Sequence, residues 1–309
     1  MRLRHLGYVG QNLTLGLTTG RTLRLAGIGS DRLAEVIAAN LESLEAILAW
    51  NLRHGIRFFR VASGVVPFAS HESFDLAWPE RFADDLARIR AFAARHQMRL
   101  SMHPGQYTVL NSPRDEVVAR AVDELVYHAT FLDLVESAEG TITLHLGGAY
   151  GDRERAKATL VEHARRLPDA VLARLALEHD DRIFDLDDAL EVARALGVPV
   201  VFDLHHHRCL HRRTHWRDDL GTLLEAVVST WGARTPKFHL SSARAPGQTA
   251  HADHVHDDDF DLAREVFGAV GGDEPYDLML EAKEKDRAVL HHLGRHAPRS
   301  SDPEAARAR

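Results

Sequence analysis

Short apolar runs that stop abruptly at a histidine or a carboxylate recur along this chain. Pro199 is followed by Val200, Val201 and Phe202, then by Asp203 and the three imidazoles His205, His206 and His207. A run of β-branched and aromatic residues of this kind reads as a buried strand whose last residue opens into a site. The pattern returns in the runs ending at His103, His145, Glu178 and Glu281, and around His239. Any one of these is explained by a strand that ends in a solvated polar loop. Their recurrence points instead to one shared site.

Between these runs the period changes. Residues 31–54 carry Leu33, Val36, Ile37, Leu41, Leu44, Ile47 and Leu48 at helical spacing. Further helices are predicted from Pro79 to 96, from Pro113 to about 140, and over 152–167, 186–196, 218–228 and 257–270. Strands are predicted over 4–9, 56–62, 98–103, 141–146, 175–178, 198–203, 237–241 and 276–281. Polar loops are expected at 10–29, at 205–217 and after the seventh strand, where Gln248, His251, His254 and His256 lie. Eight strand–helix alternations argue for parallel βαβ units and a single (β/α)8 TIM barrel over residues 1–285. Residues 286–309 read as a polar, flexible tail. In such a barrel the active site lies at the C-terminal ends of the strands, where these histidines and carboxylates fall.

Composition narrows the chemistry. The chain has 309 residues, 45% hydrophobic and 27% charged, as an ordinary globular protein does. No apolar stretch approaches the roughly 20 residues that span a bilayer, and no leader opens the chain. The one cysteine, Cys209, excludes an internal disulfide framework and fits a reducing cytosol, so a cytoplasmic protein is expected. Twenty-one histidines against that one cysteine favour imidazole- and carboxylate-bound Zn, Mn or Fe. A formal charge of −7 argues mildly against a nucleic-acid binder. Bound divalent ions weaken that objection, because each adds two positive charges at the site.

No GxSxG or P-loop pattern is present, and the Gly147–Gly151 loop is too loose for a dinucleotide fingerprint, so no nucleotide cofactor is expected. What remains is His103, His145, Glu178, Asp203, His206, His239, His251 and Glu281. That set exceeds the needs of one tetrahedral zinc and suits two or three ions, with Glu178 and Asp203 as bridging candidates. Clustered ions stabilise both the attacking and the leaving oxygen of a displacement at phosphorus. Phosphodiester hydrolysis is therefore the first expectation, a metal-dependent sugar isomerase of the xylose type the second, and a metal store the third.

Several blocks resemble the UV damage endonuclease family. They include Gly7-Tyr8 with Asn12–Leu15, the run from Pro67 to His71, Ser101-Met102-His103-Pro104-Gly105-Gln106-Tyr107, and Leu144-His145-Leu146-Gly147-Gly148. Phe202–His207, Lys237-Phe238-His239 and Glu281-Ala282-Lys283 complete the match, which spans about residues 6–285. That family is related to the endonuclease IV type of abasic-site enzyme, the nearest alternative. Lys237 discriminates, because the endonuclease IV pattern has Asp-x-His where this chain has Lys-x-His.

The resemblance implies incision of damaged double-stranded DNA immediately 5′ to cyclobutane dimers, 6-4 photoproducts and abasic sites. It implies Mn2+ as the usual metal, with Zn2+ or Mg2+ as substitutes, in a monomer. It places His103, His145 and Glu178 on one ion, and Glu178, Asp203, His239 and Glu281 on a second. His206 and His251 would hold a third near Lys237, with His71 lining the site. His205 and His254 rival His206 and His251. Glu178, His145, His239 and Lys237 are the expected catalytic group, with Lys237 neutral, carbamylated or turned away. Tyr8, Gln106 and Tyr107 are expected to probe the lesion, with Asn12 beside them. Arg21, Arg24 and Arg213, with Arg208, Arg212 and Arg244, are candidate phosphate contacts. The histidines at 54, 96, 128 and 163 are expected on helices, away from the site.

Overall fold

The eight strands close into a parallel barrel in the computed structural model, which describes residues 1–135, 139–210 and 216–296. In chain order they are β1 (Arg2–Val9), β2 (Phe58–Arg60), β3 (Arg99–Met102), β4 (Thr141–His145), β5 (Leu175–Glu178), β6 (Val200–Asp203), β7 (Lys237–Leu240) and β8 (Pro275–Leu280). Each pairs with the next, and β8 returns to β1. Strands β3, β5, β6 and β7 are buried along their whole length, as a parallel sheet covered on both faces requires. The register sets His145 beside Glu178 and Asp203 beside His239. Ligand-type side chains thus meet laterally at the C-terminal rim.

Helices of seven residues or more follow the strands, most of them covering the outside. They are α1 (Asp31–Arg53), α2 (Ala83–Arg95), α3 (Asp115–Val135), α4 (Arg153–Ala164), α5 (Leu186–Leu196), α6 (Leu204–Leu210), α7 (Leu220–Thr230), α8 (Asp257–Gly268) and α9 (Lys285–His296). Helix α1 buries Leu33, Ile37, Leu41, Leu44, Ile47 and Leu48, the apolar face its spacing predicts. Asp185 and Asp188 form a reciprocal capping box that fixes the start of α5. No helix among the described residues is long and apolar enough to cross a membrane.

Two expectations are corrected. The segment after Asp203 begins as helix α6, not as a loop: Asp203 Oδ1 accepts the His206 backbone N–H at 2.9 Å, a side-chain cap that starts the helix one residue after the strand. Residues 211–215, with Arg212 and Arg213, lie outside the described residues. The tail does not start at 286. Helix α9 packs on β1 and β8 and buries Ala288 and Val289. Its Asp286, fully buried, accepts the Leu13 N–H at 2.6 Å and both the N–H and the hydroxyl of Thr14. The folded unit therefore runs to His296, and α9 ties down the first strand-end loop.

At the opposite, N-terminal end the barrel is closed by charge. Arg99 donates to Asp277 Oδ2 at 2.9 Å and to the Thr235 carbonyl at 3.0 Å, and Arg4 donates to both oxygens of Asp277. The Arg99 guanidinium also lies over the rings of Phe58 and Trp231.

Candidate metal centre

Glu178 ends β5 with its carboxylate turned into the rim, 1% exposed. Its two oxygens face different partners. Oε2 lies 3.0 Å from His103 Nε2 and 3.6 Å from His145 Nε2. Oε1 lies 2.6 Å from His239 Nδ1. That same His239 nitrogen is 3.2 Å from Glu281 Oε1, and Glu281 Oε2 is 3.9 Å from His251 Nδ1. Asp203 completes the group: ligand atoms of Glu178, Asp203 and His239 fall within 4.8 Å of one another, as do those of His103, His145 and Glu178. Glu178 belongs to both sets, so one carboxylate faces two groups of candidate ligands.

The donor chemistry fits divalent cations better than it fits hydrogen bonds. His103 Nδ1 lies 3.1 Å from the Pro104 carbonyl and Nε2 3.0 Å from Glu178. Both neighbours are acceptors, yet burial drives the His103 pKa down to about 4 against the pull of Glu178, so the ring is neutral with a single proton. One proton cannot serve both acceptors, so one ring nitrogen is left with its lone pair against an oxygen. A cation between them removes that repulsion. Further along the rim, Asp203 Oδ2, His239 Nε2 and His145 Nδ1 are buried without a hydrogen-bond partner. Each orphan costs about 1–3 kcal/mol unless something else satisfies it. Burial alone would raise Glu178, but the fields of His239 and His145 and the hydrogen bonds from His103 and His239 hold it well below the usual carboxylate range. Glu281 is likewise raised by burial and lowered further by Arg60 and His239, with a net depression.

His206 and His251 stand at the edge of this group, and their surroundings differ from those of their rivals His205 and His254. Because α6 begins at Leu204, Asp203 and His206 are three residues apart at a helix start. The His206 ring lies 5.7 Å from His145 and 6.4 Å from His251. Its Nδ1 donates to the His179 carbonyl, leaving Nε2 for an ion. His205 Nε2 instead donates to the Thr249 carbonyl, and His254 is exposed. Burial lowers the His206 pKa, yet Asp203, Glu178 and Glu281 raise it to about 9. An ion bound there must displace that proton. Divalent-ion affinity is therefore expected to climb between pH 7 and pH 9, by up to about tenfold per pH unit. Calorimetric titration at the two pH values checks this, and His206→Ala should flatten the climb.

Lys237 enters the same region from inside the barrel. It is fully buried, and its Nζ donates to the Thr143 hydroxyl. Burial, with Arg99 and Arg60 nearby, holds its pKa well below the usual lysine value against the opposing pull of Glu178 and Glu281. The surroundings disfavour its charged form.

Other expected site residues lie elsewhere. Tyr8 is fully buried, its hydroxyl donating to Asn51 Oδ1 and accepting from Asn12 Nδ2. Asn12 is also buried and holds the Leu15 N–H. Both fasten the first loop to α1, so neither is displayed to a ligand. Arg21 is tied to the Thr18 and Ala39 carbonyls and to Ser43, and it closes that loop on α1. Arg208 pairs with Asp259, whereas Arg24 and Arg244 are exposed. Gln106 and Tyr107 stand out from the rim, Tyr107 at 70% exposure. His71 is not drawn into the cluster. It packs edge-on to Phe68, accepts the Ser73 N–H, and lines a neighbouring cavity of about 760 Å³ with Tyr107 and Glu124.

Arg60 emerges only from the structure, and the contacts of His179, which stands where the resembling family commonly has Asn, are visible only there. Arg60 ends β2 and donates to Glu281 Oε1 at 2.5 Å. It obeys the same rule as the other strand ends, an apolar run stopped by a polar residue, but a search restricted to ligand types passes over it. His179 is buried behind Glu178, accepts the Asp203 N–H at 3.1 Å and offers its carbonyl to His206.

The model of the UV-endonuclease UvdE family matches residues 2–299. The UV DNA damage endonuclease of Clostridium perfringens is 32% identical over 290 residues, covering 92% of this chain and 69% of that protein. The crystal structure of SacUVDE superimposes with a TM-score of 0.85 at 36% identity, covering 94% of this chain and 98% of that one. Endonuclease IV from Thermus thermophilus shares the fold, with a TM-score of 0.59 at 14% identity over 94% of this chain and 97% of that one.

Proposed function

The chain belongs to the UV-endonuclease UvdE family, and from that premise we propose that it is a DNA-repair endonuclease. The reaction is hydrolysis of the phosphodiester bond immediately 5′ to cyclobutane dimers and 6-4 photoproducts, and to abasic sites, in double-stranded DNA. Two or three divalent ions serve it, Mn2+ first, with Zn2+ or Mg2+ as alternatives. The observation that carries this reading is the two-sided engagement of Glu178, with His103 and His145 on one oxygen and His239 on the other.

In this account His103, His145 and Glu178 hold one ion, Glu178, Asp203, His239 and Glu281 a second, and His206 with His251 a third. When bound, the ions lower the pKa of water towards about 7 and neutralise charge developing on the phosphoryl oxygens. The chain's own residues do the rest. Arg60 holds Glu281 in place across the rim. Lys237, whose charged form burial disfavours, repels dications less than an ordinary lysine would. His179 fixes the backbone of Asp203 and the tautomer of His206. Gln106 and Tyr107, exposed on the loop after β3, meet the base stack where a lesion interrupts it. We read the protein as a monomer in the cytoplasm; its single cysteine fits a reducing compartment.

A duplex carrying one thymine dimer tests the proposal. With Mn2+ a nick is expected directly 5′ to the dimer, and none with EDTA. Cutting of abasic DNA alone would overturn the photoproduct assignment. Activity on free sugars without DNA incision would overturn the nuclease reading.

A further inference from the structure

Two aromatic side chains among the described residues stand largely in solvent, Tyr107 at 70% and Tyr150 at 53% exposure. They sit on adjacent strand-end loops of the same rim, after β3 and β4. Each is seated in the same way. A Cβ built on Gly105 would come within 2.3 Å of the Tyr107 ring, and one built on Gly148 within 3.0 Å of the Tyr150 ring. Each ring thus lies back over a glycine two residues earlier, with more than half of the residue's surface left to solvent. That is a platform for a flat partner. Exposing a tyrosine normally costs apolar surface for no gain, and here the chain accepts a second cost. Tyr150 sits at φ 49°, a left-handed conformation that bulky side chains rarely adopt.

The two loops are also bolted together. Asn111, 3% exposed, belongs to the loop that carries Tyr107. Its Nδ2 donates to the Gly148 carbonyl at 2.9 Å, and its Oδ1 accepts the Gly148 N–H at 3.3 Å. One buried amide therefore holds the seat of Tyr150 against the Tyr107 loop. We propose that Tyr150 is a second base-stacking residue, acting with Tyr107 as one rigid unit on DNA whose stack is broken by a lesion. The inference rests on the endonuclease reading. Removing a base or dinucleotide from a stack exposes two faces, and two fixed rings can cover them where one cannot.

Binding to fluorescently labelled duplexes, one with a single thymine dimer and one undamaged, provides the test. The Glu178→Gln protein serves as parent so that nothing is cut, with Tyr150→Ala, Tyr150→Gly and Tyr150→Phe added to it. The Ala and Gly variants should bind the dimer duplex about 5- to 150-fold more weakly, the loss of one base–aromatic stack. Binding of the undamaged duplex should change less than twofold, and Phe should retain the parent affinity. Tyr150→Gly should melt at or above the parent temperature, because glycine relieves the positive φ, so lost binding cannot be blamed on folding. Unchanged dimer affinity in the Ala variant, an equal loss on both duplexes, or failure of Phe to substitute would each overturn the inference. A parent that does not prefer the dimer duplex sinks the endonuclease reading itself. A parent that prefers it, with no effect of Tyr150, sinks this inference alone.

Discussion

Glu178→Gln protein is expected to lose at least about a thousandfold of its incision rate while keeping its fold. The glutamine has the shape of the native side chain but one acceptor oxygen, so it cannot serve His103 and His145 on one side and His239 on the other as a shared anion. Ion contributions to phosphoryl chemistry are worth several kcal/mol, and at about 1.4 kcal/mol per tenfold this gives the expected loss. Stability should move the other way or not at all. In metal-free protein the neutral His103 has one proton for two acceptors, the Pro104 carbonyl and Glu178, and an amide N–H₂ at position 178 can donate to the ring when that proton goes to the carbonyl. Melting in EDTA should therefore find the variant at or above the parent. A variant that cuts within tenfold of the parent rate would show that Glu178 is not the shared ligand.

Asp277→Ala should be the most damaging change to stability, by about 3–5 kcal/mol, because it leaves the Arg99 guanidinium buried without its carboxylate. Arg99 and Asp277 are 2% and fully buried respectively, and Trp231 and Phe58 cover the cation, so water cannot take the partner's place. Denaturant unfolding measures the loss. The site lies at the other end of the barrel, so incision per folded molecule should stay within about twofold of the parent. The pH dependence has a defined sign. Burial would raise the Asp277 pKa, but the hydrogen bonds and charges of Arg4 and Arg99 lower it below its ordinary value. Its contribution is therefore complete above the unfolded carboxylate pKa and is lost as pH falls through the depressed folded value. The variant's deficit should shrink in acid. A deficit that persists unchanged to low pH would assign the loss to packing instead.

The barrel and most of its rim are legible in the sequence for one reason. A parallel strand buried on both faces shows as an unbroken apolar run, and its C-terminal end is marked wherever a polar side chain must face the site. The runs ending in His103, His145, Glu178, Asp203, His239 and Glu281 all announce themselves this way. Strand alternation failed at His205 because the period changes there. The chain passes from strand to helix at Leu204, so the residue sharing a face with Asp203 is three along, His206, and not two. Tyr8 misleads for a related reason. It has the composition of a ligand-stacking residue, and only tertiary packing against Asn51 and Phe59 shows that its ring faces inwards. Asp286 lies in a polar, Ala- and Arg-rich stretch that reads as a tail. Its value comes from three donors of the distant loop at Leu13 and Thr14, a contact with no local signature. Tyr150 was hidden inside a glycine-rich turn that any barrel needs, and its exposure and strained backbone are visible only in three dimensions.

If side chains from successive strand ends converge on divalent ions bridged by Glu178, anomalous diffraction from a crystal soaked in Mn2+ will locate those ions. Two or three peaks are expected at the C-terminal rim, one between His103, His145 and Glu178 and one between Glu178, Asp203, His239 and Glu281. Peaks confined to the protein surface, or none at the rim while Glu178 keeps its histidine contacts, would contradict that arrangement.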